Sequence, residues 1–238
     1  MPPAPEGWGN DEVTSFFDAL RTNSYATYER FQPWVQKIIA IDGAYRKLTD
    51  NLFNTRDWFS AFFFLRAHSN FLAATTLAFN GQFPETFALL RSCLESGLYG
   101  LYFAKNPDSR RTWLERHESA EHMAKVRQEF KPWKMIGLLR SLDRHEAEVA
   151  QTLYDRAIDF GAHPNERGFM SSLQLNEDPE NYQLLMVYAS DDPRLYEPVL
   201  KSVAQIGVCV LSIFKLVYRE RYDIINLSDT LHQLRQGL

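Results

Sequence analysis

"LLRSCLESGLYGLYF", residues 89–103, is an apolar run with an arginine and a glutamate set one helical turn apart inside it. At helical spacing one line of side chains reads Phe87, Leu90, Leu94, Leu98, Leu101, a plain core stripe. The neighbouring line reads Ala88, Arg91, Glu95, Tyr99, Tyr102. Arg91 and Glu95 therefore sit at the edge of the apolar stripe or inside it. A buried charge must be paired and hydrogen-bonded to offset its lost hydration. Two readings follow. Either the pair bridges within itself or to a neighbouring helix, or it lines a polar cavity in which arginine binds an anion and glutamate orients it or handles a proton.

Outward from this helix the chain reads as mainly α. "WFSAFFFLRAHSNFLAATTLAF" (58–79) is apolar nearly all round and predicts a central helix over about 55–80. Arg66, His68 and Asn70 sit in its middle, and a central arginine costs about 2.5–3.5 kcal/mol in a bilayer, so the segment reads as a buried helix of a soluble fold. "NGQFPE" (80–85) makes the turn into the next helix, which runs to about Lys105. Asn10 or Asp11 caps a first helix to about Leu20, and a second runs from about Ser24 to Phe53 with Pro33 and Gly43 inside it. A fifth helix, capped by Asp108 or Ser109, carries Trp113, His117, Met123 and Val126 up to Pro132. A sixth spans about Trp133 to Phe160.

From Arg167 the periodicity changes to two, with Phe169, Ser171, Leu173, Leu175, a turn at "NEDPEN", then Tyr182, Leu184, Met186, Tyr188. This predicts a β-hairpin insertion near residues 168–188. A long helix over about 194–221 and a short amphipathic one over about 227–236 close the chain. The organisation expected is a disordered lead-in over 1–10 and one helical domain over 11–238, a bundle with one hairpin.

Composition bounds the function. A formal net charge of -4 gives no electrostatic case for nucleic acid. Cys93 and Cys209 lie in apolar helical runs and read as buried, reduced thiols of a cytoplasmic protein. "MPPAPEGWGNDE" has neither the basic nor the apolar region of a secretory signal. His117 and Glu121 share a helix face, as do Glu118 and His122, but no HExxH and no Glu-x-x-His pair is present, so no metal and no cofactor is expected. Glycine-rich phosphate loops and the GxSxG elbow are also absent from the sequence.

The order of elements, with "LLRSCLES" on one helix and "AHPN" after a later one, resembles uncharacterised bacterial all-helical proteins of the HEPN-like superfamily, over roughly residues 55–220. Members of that superfamily include toxin and phage-defence ribonucleases, in which an arginine, a polar residue and a histidine four to six residues on assist attack by an RNA 2′-hydroxyl. In "RHESAEH" the resemblance implies Arg116 and His122 as the catalytic pair, although five intervening helical residues put the two on different faces. Arg140 with His145 and Arg156 with His163 fit the same spacing.

The leading expectation is a binding or regulatory module whose polar pocket, for a small anionic ligand or a partner's acidic group, is built from Arg91, Glu95 and His163 with Arg66 and His68. His163 enters because it lies in "DFGAHPNERG", just past a helix end, where a neutral histidine can act as acid, base or ligand. The alternatives are the ribonuclease and a structural homodimer formed through the terminal helices or the hairpin edge.

Overall fold

A helix that carries a broad apolar face must bury it, and two long helices with most of their residues buried organise this protein. In the computed structural model, which describes residues 3–55, 57–162, 173–178 and 181–238, they are α4 (Phe83–Lys105) and α9 (Pro193–Lys215). Around them lie α1 (Glu12–Arg30), α2 (Gln32–Thr49), α3 (Trp58–Phe79), α7 (Pro132–Leu142) and α8 (Arg144–Ala157), which runs on into a π-type turn, Ile158–Ala162. Shorter helices α5 (Ser109–Leu114) and α6 (Ala120–Glu129) follow α4, and α10 (Arg219–Ile224) and α11 (Leu227–Arg235) follow α9. The fold is mainly α. Strands β1 (Leu173–Asp178) and β2 (Asn181–Met186) pair antiparallel, Leu173 opposite Met186 and Asp178 opposite Asn181.

Phe87, Leu90, Leu94, Leu98 and Leu101 all belong to one core that extends from Ile38 on α2 to Leu234 on α11. Helix α3 runs antiparallel to α4: Ser60 Oγ donates to the Gly100 carbonyl at 2.8 Å, Cys93 Sγ to that of Ala67 at 3.2 Å, and Asn70 Nδ2 to Ser92 Oγ at 2.9 Å. On α9, Gly207 has no room for a side chain, since a Cβ there would lie 2.6 Å from the Phe71 ring and 2.9 Å from Ile41. Helix α9 is long and apolar enough to cross a membrane, yet most of it is buried inside the protein. A smaller aromatic cluster of Phe59, Phe103, Val126 and Phe130, with Tyr99 and Trp113 against it, fills the corner beneath α5 and α6.

Several boundaries differ from the sequence expectation, each for a local reason. Helix α1 does not stop near Leu20 but runs to Arg30. Its polar stretch is held by tertiary bonds: Asn23 Nδ2 to the Asn80 carbonyl at 3.0 Å and Thr27 Oγ1 to that of Phe79 at 3.0 Å. These satisfy carbonyls that the end of α3 leaves open. The break falls at Phe31, so Pro33 opens α2 instead of kinking it. The expected fifth helix is two, because Ser119 caps α6 with its hydroxyl on the His122 N–H. The expected sixth divides at Asp143, whose side chain caps α8 by accepting from the Glu146 N–H at 2.9 Å. Helix α9 ends at Lys215, and α10 is a separate turn. The lead-in is tethered from Trp8 onward, where Trp8 Nε1 donates to Asp18 at 2.9 Å and Gly9 N–H to Thr14 at 2.9 Å.

Candidate functional site

Helix α8 starts where Asp143 caps it, and that phase turns Glu146 inward toward α9 while Ala147, Ala150, Leu153 and Ala157 face the core. Glu146 is only 3% exposed. Its carboxylate accepts from the Arg235 guanidinium of α11, which also donates to Ser212 Oγ on α9 at 2.6 Å. Burial holds the Glu146 carboxyl above its ordinary range, with Arg235 and the Cys209 thiol pulling the other way. Cys209 is pushed well above the usual thiol range by burial and then by the Glu146 charge, so it remains a thiol. Both cysteines are buried and free.

Beside this pair, α8 and α9 diverge into a cleft of about 440 Å³ lined by Val149, Leu153, Arg156, Gln205, Val208 and Arg235 among others. Of these, Val149, Leu153 and Val208 are apolar, and Arg156 and Arg235 carry guanidinium groups. The environments of those two groups differ. Arg235 is committed to Glu146, and the other carboxylate at the rim, Glu148, pairs outward with Arg144 at 3.0 Å. Arg156 instead bonds neutral oxygens, Gln205 Oε1 at 2.7 Å and Ser202 Oγ at 3.4 Å, both through Nη1. Among the described residues its Nε and Nη2 have no partner. That edge is the planar two-donor face that matches a carboxylate.

The expected pocket residues are not gathered in this way. Arg91 and Glu95 do meet, Nε to Oε1 at 2.9 Å, at the half-buried edge of α4. Tyr154 of α8 closes on them, its hydroxyl donating to Glu95 Oε1 at 3.0 Å and its ring lying 5.3 Å from the Arg91 guanidinium. The bridge to a neighbouring helix is thus the arrangement seen. His68 turns to α2, where Nε2 lies 2.6 Å from Asp42 Oδ1 and the ring stacks on Tyr45 at 4.9 Å. Arg66 is exposed. His163 lies outside the described residues.

Arg116 lies in the turn between α5 and α6, and His122 in the first turn of α6. Arg116 stacks over Trp113 at 4.5 Å and donates to its carbonyl at 3.0 Å. His122 Nδ1 lies 2.8 Å from Ser119 Oγ, and its Nε2 is 3.7 Å from Glu115. Glu115, Glu118 and His122 bring possible ligand atoms within 4.8 Å of one another. Arg111 already neutralises Glu115 there, Nε to Oε1 at 2.6 Å.

Sequence reasoning missed Glu146, Arg156 and Arg235 as a group. Gln205 was the one available signal, since it interrupts the apolar run 199–218 on the side that meets Arg156. No family model, no curated protein and no solved structure matches the chain.

Proposed function

We propose that this chain is a binding module that takes a small anionic ligand with an apolar body in the cleft between α8 and α9. The observation that carries the reading is the Arg156 guanidinium, aimed into that cleft with neutral partners alone among the described residues. A cation so held has its position fixed while its charge stays uncompensated, which favours an incoming carboxylate. Val149, Leu153 and Val208 supply apolar wall for the rest of such a ligand. The thiol in the wall, Cys209, stays protonated and gives the site no ready nucleophile. Binding, not turnover, is the activity this chemistry favours.

Hexanoate, a carboxylate on an apolar chain, is the simplest probe. Calorimetric titration of the full chain is expected to give saturable binding that weakens at least about tenfold, about 1.4 kcal/mol, in Arg156→Met, which keeps the stem and removes the charge. Equal binding by the two proteins would overturn the assignment.

A further inference from the structure

On the other side of Arg235 lies a second cleft, of about 280 Å³, between the C-terminal turn of α9, the start of α10 and the inner face of α11. Its charged lining is one-sided. Lys215 and Arg219 contribute two cations and His232 an imidazole ring; the third cation, Arg235, is balanced by Glu146, and Asp143 is the one carboxylate of the lining among the described residues. Asp143 is moreover occupied as the cap of α8. Among the described residues Lys215, Arg219 and His232 have no hydrogen-bond or ion-pair partner. Ser228 lines the same cleft, but its hydroxyl proton goes to Asp223 at 2.8 Å, and that of Ser212 goes to the Val208 carbonyl at 2.8 Å. The groups left to donate into the space are therefore the Lys215 ammonium, the Arg219 guanidinium and the His232 ring.

Lys215 and Arg219 have no anionic partner among the described residues, which favours an incoming counter-charge. The geometry specifies which kind. A carboxylate is planar, carries one negative charge and suits one two-pronged arginine, as at Arg156. Here the donors come from α9, α10 and α11, and with Arg235 balanced by Glu146 the lining keeps one positive charge in excess. A tetrahedral oxyanion, whose acceptor oxygens point several ways, suits donors that arrive from three helices. We infer that the α9–α11 cleft is a phosphate site, binding the phosphoryl group of a small soluble phosphate ester. The inference shares Arg235 with the proposed carboxylate cleft but does not involve Arg156, so the two can fail separately.

The test is calorimetric titration of pyrophosphate into the full chain, with ionic strength held constant by chloride. Saturable one-to-one binding is expected. Arg219→Ala changes an exposed side chain and should weaken binding about tenfold or more. Lys215→Met keeps the aliphatic stem and should act likewise. Asp143→Asn preserves a capping side chain while removing the one lining carboxylate among the described residues, and should tighten binding several-fold. Arg156→Met should bind pyrophosphate as the wild type does while losing hexanoate. Absence of saturable binding, or an unchanged affinity in Arg219→Ala, overturns the site. Loss of pyrophosphate in Arg156→Met with Arg219→Ala unaffected would place the anion in the other cleft and equally overturn it. Vesicles containing phosphatidic acid form the last arm: retention of the protein on them, without pyrophosphate binding in solution, rejects the soluble ester.

Discussion

Arg235, near the end of α11, donates to Glu146 in the first turn of α8, across 89 residues of sequence. Through Ser212 the same guanidinium also ties α9, so one side chain joins three helices and forms part of the wall of both clefts. Removing it leaves a buried carboxylate without its cation. Arg235→Met is therefore expected to cost about 2–4 kcal/mol in urea unfolding at neutral pH, toward the lower end because Arg235 itself is 41% exposed. The double variant Glu146→Leu/Arg235→Met should recover most of that loss, since an apolar pair needs no compensation.

The same carboxylate sets a pH dependence. Burial raises the folded Glu146 above its ordinary 4.5. The folded state then binds the proton more tightly than the unfolded chain, so this group's contribution is complete below the unfolded value and is lost as pH rises through the folded one. The stability of wild type relative to Glu146→Gln should fall from about pH 4 upward and then level off. A relative stability that climbs over that window would contradict the assignment.

Two glycines should respond in opposite directions to the same added methyl group. Gly207→Ala forces its Cβ onto Phe71 and Ile41 and is expected to cost about 1–3 kcal/mol. Gly43, within α2, has nothing within 4 Å of a built Cβ. Gly43→Ala should stabilise by about 0.5–1 kcal/mol through helix propensity alone. Thermal unfolding of both variants checks the pair.

At the Arg91–Glu95 edge, Tyr154→Phe removes one hydrogen bond to a carboxylate that retains Arg91, and about 1 kcal/mol of stability should go with it. Burial and then the Glu95 charge push the Tyr154 phenol up to about 12. A difference absorbance titration between wild type and variant should accordingly show one tyrosine ionising near that value and not near 10.

How much of this was legible follows from the range of the interactions. The core stripe of α4 is a local pattern, and Phe87 through Leu101 could be read directly. Asp11 caps α1 as a polar residue before an amphipathic run should. Asn23 misled because a residue that disfavours helix in isolation here bonds the end of α3, a contact between segments more than 50 residues apart. Arg91 and Glu95 stood out as charges in an apolar run, yet their exposure depended on helix rotation and on Tyr154. Glu146 and Arg235 each look like ordinary surface charges in short amphipathic helices. Only the packing of α8 against α9 and α11 buries Glu146 and brings Arg235 onto it.

The ring cluster under α5 and α6 has an optical consequence. Trp113 sits within 5.1 to 6.0 Å of four other aromatic rings, those of Tyr99, Phe130, Phe103 and Phe63. Trp58 and Trp133, by contrast, are largely exposed. Rings locked at fixed mutual angles couple their transitions, so this corner should dominate the near-ultraviolet circular dichroism of the whole chain. Loosening of the α5–α6 corner would then register as a lost dichroic band while the helical signal from the main bundle persists, giving the molecule a built-in reporter for its smaller aromatic cluster.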